Sequence, residues 1–175
     1  MSKRRGDWIQ TFTGKAVYPL DVRAGDVDIV DVAHALGMLC RYGGHARFFY
    51  SVAEHCVLLS HAVPSHLAYA ALMHDAAEAY LVDVPRPIKG ELGRYREIEV
   101  DIMVAVCAAY GVSPAELREV SDYDTRILTD ERRQVMGPAP KAWHDTGDAL
   151  GVQIAGLDPA SAKAAFLRRF YELRP

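Results

Sequence analysis

Cysteine is scarce and unpatterned. Cys40, Cys56 and Cys107 are the chain's three, and no C-x-x-C pair joins any of them. That excludes zinc ribbons and dithiol redox motifs, and predicts three buried, reduced thiols in a cytoplasmic protein. Long apolar runs are missing: no stretch reaches membrane-span length, and the first residues lack the hydrophobic core of a signal peptide. No membrane partner is expected. An excess of positive charge is missing too. The formal net charge of -3 argues against a stable nucleic-acid partner, and the short basic start SKRR reads as a frayed, solvated terminus. Internal repeats, linkers and low-complexity tracts are absent, and strand-like alternation is rare. At 175 residues the chain reads as one domain, 1–175, long enough to bury a core.

What stands in place of strands is helical periodicity with caps, so the fold class expected is all-α, a compact helical bundle. Ile29, Val32, Ala33, Leu36 and Cys40 recur at helix spacing and predict a helix from about Ile29 to Cys40, which Arg41-Tyr-Gly-Gly breaks. Ser51-Val-Ala-Glu54 has the form of a capping box, with a helix to about Ala62. Ser65 is expected to cap a third helix reaching Tyr80, after which Pro85 and Pro87 predict an extended loop. A helix over about Tyr95 to Tyr110 stops at Gly111, and Ser113-Pro114-Ala-Glu116 opens a long one ending near Gly137. Residues 138–157 are loop-like, and Asp158-Pro159 starts a last amphipathic helix to about Leu173.

Three of these helices carry polar side chains where apolar ones belong. The stripe of the long helix runs Leu117, Val120, Asp124, Ile127, Leu128, Glu131, Val135. Asp124 falls mid-stripe, where an unpaired carboxylate costs several kcal/mol or protonates. Glu131, nearer the helix end, is expected to reach solvent. His55 lies among Val52, Cys56, Leu58 and Leu59; His74 and Asp75 follow Ala70, Ala71, Leu72 and Met73, with Glu78 one turn on. Alone, each is as well explained as a satisfied core residue. Together they form a mixed nitrogen and oxygen donor set suited to a divalent manganese, iron, cobalt, nickel or zinc ion at a helix–helix seam. Trp8 and Trp143 read as core filling, and His34 as a partner of Asp31.

The order H…HD…D formed by His55, His74-Asp75 and Asp124 resembles the HD-domain metal-dependent phosphohydrolases. The segments VAEHC, HDAAEAYLVDVPRPIK and DYDTRILTDE are similar to those of the small bacterial 5′-deoxynucleotidases. The upstream stretch GKAVYPLD…DVAHALGMLCRYGGHARFFYSVAEH resembles compact phage enzymes that degrade dATP in the 2-aminoadenine pathway. The resemblance covers roughly residues 13–137, and implies an HD-type domain with the C-terminal loop and helix, 138–175, added. It makes His55, His74, Asp75 and Asp124 the metal ligands and Glu78 the residue that positions or deprotonates the attacking water. Asp83 would bond a sugar hydroxyl or assist proton transfer. Arg41 would orient the phosphate, Tyr42 pack against sugar or base, and Val84, Pro85 and Arg86 line the pocket. Lys89 and His45 are further phosphate contacts. A second divalent ion such as magnesium is expected with the substrate phosphates, and homo-oligomers are expected.

Two reactions at one bond then compete: hydrolysis of deoxynucleoside triphosphates to deoxynucleoside and triphosphate, or of monophosphates by a 5′-nucleotidase. The cations His45, Arg47, Arg86, Lys89 and Arg94 exceed the need of a single phosphate and tip the expectation to the triphosphate. Cyclic-nucleotide phosphodiesterase chemistry and a non-catalytic metal-binding module are the remaining alternatives.

Overall fold

Asp28 accepts the Val30 amide and opens helix α1, Ile29–Met38, in this computed structural model, which describes residues 3–144 and 146–174. Before it, the strands β1 (Ile9–Gln10) and β2 (Ala16–Val17) pair antiparallel, Ile9 opposite Val17. The basic start is docked rather than frayed. Arg4 donates to the Asp21 carbonyl at 2.6 Å and to Asp26 at 2.5 Å, and Arg5 Nε to the Leu20 carbonyl at 2.8 Å.

Helix α2, Val52–Ala62, is the central element, packed against α1, α3 (Ala68–Met73), α7 (Pro114–Val135) and α8 (Pro159–Leu173). Its first five residues, Val52 to Cys56, are buried without a break. Between α3 and α7 lie α4 (Glu78–Leu81), α5 (Arg86–Lys89) and α6 (Tyr95–Tyr110). The shared core includes Leu36, Leu59, Leu72, Ile102, Ile127, Phe166 and Phe170, each contributing about 1.5–3 kcal/mol by leaving water. Helix α1 meets α8 closely because Gly37 has no side chain: a Cβ there would lie 3.0 Å from the Pro159 carbonyl. This all-α single domain matches the class expected.

Three local expectations fail for identifiable reasons. The helix over 65–80 is not continuous. Ser65 lies inside a 3-10 turn without capping, and residues 74–77 tighten into i→i−3 bonding, with the Glu78 amide on the Asp75 carbonyl at 2.9 Å. At three residues per turn, side chains three apart eclipse, which aligns Asp75 with Glu78. Pro85 and Pro87 start α5 instead of an extended loop, since a fixed φ near -65° suits a first helical turn. The box at Ser51 closes on one side only. Ser51 Oγ accepts the Glu54 amide at 3.1 Å, but the Glu54 carboxylate turns away.

That carboxylate, 2% exposed, accepts the backbone amides of Ala155, Gly156 and Leu157 at 2.8, 3.0 and 2.8 Å. Asp130 takes the Leu150 and Gly151 amides, and Gln134 bonds Val152 and Ile154. The stretch 146–157 is thus nailed by side chains of α2 and α7. Charge-assisted bonds of this kind are worth about 1.5–3 kcal/mol each before their partners' desolvation. Glu54→Ala should therefore lower the free energy of unfolding by roughly 2–4 kcal/mol in urea titrations. A change within about 0.5 kcal/mol, the size of an ordinary surface substitution, would show that the clamp contributes nothing.

Candidate metal centre

Helices α2, α3 and α7 meet at one point and bring the four sequence-predicted ligands together. His55 Nε2 stands 3.3 Å from His74 Nε2, 3.7 Å from Asp75 Oδ2 and 3.2 Å from Asp124 Oδ1. His74 Nε2 is 3.3 Å from Asp75 Oδ2 and 3.5 Å from Asp124 Oδ1. Ligand atoms about 2.1 Å from a common ion are separated by about 3.0 Å in octahedral and 3.4 Å in tetrahedral arrangements. His55, His74 and Asp75 form a group able to hold a metal ion.

The protonation state supports this. His55 Nδ1 faces Glu131 Oε1 at 2.7 Å and His74 Nδ1 faces the Ala71 carbonyl at 2.8 Å, so both Nδ1 atoms carry the proton. Each neutral ring then presents a bare Nε2 lone pair to the other and to two carboxylates. Four acceptors without a donor repel one another. Burial disfavours a charged His74, yet Asp75, Cys56 and Asp124 together outweigh it and raise its pKa well above the ordinary value, so the bare chain recruits protons here. Doubly protonated, the rings would set two positive charges 3.3 Å apart between their Nε2 atoms. One divalent ion satisfies all four groups without that repulsion. Cys56, 4.0 Å from His74 Nδ1, is no competitor, because burial pushes its thiol up to about 11.

Around this point the carboxylates differ sharply. Asp124 is half-buried at the rim rather than sealed in the core. Burial works against its ionised form, but His55 and His74 more than compensate and hold it well below the usual range. Glu78 is 7% exposed, and its Oε2 is buried with no hydrogen-bond partner. Burial, then Asp75 and Asp83, push it up to about 9. Asp83 is half-buried and also shifted up by burial. It follows Val82, a β-branched residue at φ 72°, ψ 159°, a conformation costing about 1–3 kcal/mol. Val84 is half-buried and Pro85 exposed along the same turn.

Arg41 is buried, with Nη2 3.1 Å from Glu131 Oε2, Nη1 3.7 Å from Asp75 Oδ2, and Nε buried without a partner. Its neighbour Tyr42 has left-handed backbone, φ 57°, and meets the Trp143 ring edge-on at 6.1 Å. Glu131 is the residue the sequence reading misplaced: expected near solvent, it is fully buried under His55. The visible signal was its place on the apolar stripe seven residues after Asp124. Burial opposes its charge, but Arg41 and His55 win and hold it at about 2.

Other expected contacts scatter. Arg86 Nη2 is 3.8 Å from Asp124 Oδ2 but largely exposed. Lys89 binds Glu99 at 2.5 Å and Arg94 binds Glu97 at 2.8 Å. The His45 imidazole is exposed and makes no contact with the cluster among the described residues, and Arg47 donates to the Gln134 carbonyl at the end of α7. His34 stacks on Phe12 at 3.8 Å, while Asp31 takes the Thr13 amide and hydroxyl. Trp8 is 49% exposed, not core.

Fold and site define a helical single domain built around a group able to hold a metal ion, and sequence comparison aligns the chain with relatives over nearly their whole length. It is 36% identical over 169 residues to the uncharacterized protein YfdR of Escherichia coli K12, and 30% identical over 186 residues to the uncharacterized protein RCAP_rcc00048 of Rhodobacter capsulatus. Each alignment covers 95% of both chains, and the chain belongs to this family. No family model matches it. Among the described residues no single helix is long and apolar enough to cross a membrane.

Two outcomes are expected. His74→Ala or Asp124→Ala should each abolish retention of cobalt or zinc through desalting, by elemental analysis, with the helical circular dichroism signal kept. Full metal retention in either would remove that residue from the site. Glu78, its folded pKa raised from 4.5 to about 9, stabilises the metal-free fold below about pH 4.5 and loses that contribution as pH rises toward 9. Glu78→Gln should therefore stabilise the metal-free protein at pH 8, by an amount on the order of 2–4 kcal/mol, and hardly change it at pH 4. Equal stability of the two proteins at pH 8 would contradict the burial of an unpaired carboxyl.

Proposed function

We propose that the protein is an HD-type, metal-dependent phosphohydrolase that cleaves the 5′-phosphoester of deoxynucleotides and releases the deoxynucleoside. Its leading substrate is the triphosphate, with deoxynucleoside and triphosphate as products. The observation that carries this reading is the convergence of four side chains of metal-ligand type, His55, His74, Asp75 and Asp124, beside two buried polar groups without partners, Glu78 Oε2 and Arg41 Nε. When bound, a divalent cobalt, manganese, zinc, iron or nickel ion supplies Lewis-acid charge to a phosphoryl oxygen and acidifies water. A second ion such as magnesium would travel with the substrate phosphates.

The chain's own groups supply the rest. Arg41 holds a phosphoryl oxygen through the guanidinium nitrogens that Glu131 leaves free, in a site dry enough to strengthen each bond. Glu78 takes the proton of the attacking water as its oxygen bonds to phosphorus. The ester bond to O5′ breaks, and Asp83, whose carboxyl burial pushes up, is placed to give the departing oxygen its proton. A positive ion beside Glu78 lowers its proton affinity from the bare-chain value toward that of a working base. Val84 and Pro85 wall the site, the Tyr42 ring faces sugar or base, and Arg86 flanks the outer phosphates.

A second reading, a 5′-nucleotidase for monophosphates, is favoured by where the cations lie. Arg47, Lys89 and Arg94, three of the five that argued for a triphosphate, are engaged elsewhere. The test is incubation of cobalt- or manganese-loaded protein with each dNMP and dNTP, followed by chromatography of the phosphate product. Triphosphate plus one deoxynucleoside is expected, and orthophosphate from monophosphates alone would select the second reading. Glu78→Gln should cut kcat by roughly 10²–10⁴-fold while keeping metal affinity. Silence across the panel with metal bound would contradict both readings.

A further inference from the structure

Glu131 is a fully buried carboxylate that touches no solvent and, by position, no substrate. It is also shared. Oε1 accepts from His55 Nδ1 at 2.7 Å and from the Tyr50 hydroxyl at 2.9 Å; Oε2 accepts from Arg41 Nη2 at 3.1 Å and from the Tyr42 hydroxyl. A carboxylate offers about four lone-pair sites, and here four donors fill them. Its two oxygens serve two different ends of the site: one holds the ring of a metal ligand, the other the guanidinium that faces the substrate phosphate. Tyr50, wholly buried, and Tyr42 brace the carboxylate from either side. A group meant only to neutralise Arg41 would need no contact with His55, and one meant only to orient His55 could be a backbone carbonyl, as Ala71 is for His74.

We infer that Glu131 is a positioning residue coupling the two halves of the site: it fixes the His55 tautomer with Nε2 bare for the metal, and fixes the plane of the Arg41 guanidinium that would meet the phosphate. The inference rests on the metal-centre part of the function proposed above. Its negative charge makes His55 a stronger donor to a cation, as carboxylates behind metal-bound imidazoles do, and losing such a partner costs roughly 10–100-fold in metal affinity. On the other oxygen, Glu131 uses one guanidinium nitrogen and holds the plane in place, so that the remaining donors meet an oxyanion without first losing rotamer freedom.

The difficulty in testing this is that removing one member of a buried ion pair strands the other and can unfold the chain. Three full-length variants separate the roles: Glu131→Gln, Arg41→Gln, and the double variant, in which the buried charges disappear together. Cobalt affinity is measured by calorimetry at a temperature where urea titration shows each variant folded. The coupling role predicts a Kd raised roughly 10–100-fold in Glu131→Gln and in the double variant, and within about threefold of wild type in Arg41→Gln. Wild-type cobalt affinity in the folded double variant would overturn the inference, since the loss in the single variant would then have come through the fold.

A measurement on the wild-type chain needs no variant. With zinc bound, the His55 Nδ1 proton should be downfield and slow to exchange in proton–nitrogen spectra. A freely exchanging one would overturn the inference equally. If the wild-type chain binds no cobalt or zinc, the metal centre itself fails; if it binds and Glu131→Gln binds as well, only the role of Glu131 fails.

Discussion

Four lone pairs aimed at one small volume are the constraint on which the rest of the structure depends. His55 and His74 are each held with Nδ1 protonated, by Glu131 and by the Ala71 carbonyl, and so face Asp75 and Asp124 as acceptors. Such an arrangement is unfavourable by itself, and the fold is organised to sustain it. Helix α2 sits at the centre with its first five residues, Val52 to Cys56, sealed, which fixes His55. The tightened turn after α3 aligns Asp75 with Glu78. Helix α7 runs long enough to supply both Asp124 at the rim and Glu131 beneath.

The acidic residues of the site are driven in opposite directions by their surroundings. Glu131 accepts four donors and stays ionised to about pH 2, whereas Glu78 accepts none at Oε2 and holds its proton to about pH 9 in the bare chain. Buried depth does not distinguish them; the supply of positive charge and N–H or O–H groups does. Environments that push like groups apart in this way are what the proposed division between a structural and a proton-transferring carboxylate requires.

Much of this was legible in the chain. Periodicity and caps marked the helices over 29–38, 52–62, 95–110, 114–135 and 159–173 to within a few residues, because each carries both an apolar stripe and a terminal signal. The ligand residues stood out as polar side chains on those stripes. Side-chain destinations across long sequence separations were not legible. Glu54 has the spacing of a capping box, but its carboxylate finds better donors about a hundred residues away. Glu131 looked like a helix-end carboxylate because nothing local reveals Arg41, Tyr42 and Tyr50 arriving from the loop before α2. The scatter of His45, Arg47 and Arg94 away from the site has the same origin: spacing names a residue's helix or loop, while only packing decides what its side chain meets.

The central claim is that His55, His74, Asp75 and Asp124 bind one divalent ion, and X-ray absorption at the metal edge of the cobalt- or zinc-loaded protein tests it directly. The account predicts a single bound ion with two imidazole nitrogens and carboxylate oxygens at about 2.0–2.2 Å and no sulfur. A first shell containing sulfur at about 2.3 Å, or one lacking imidazole, would place the ion elsewhere and contradict the account.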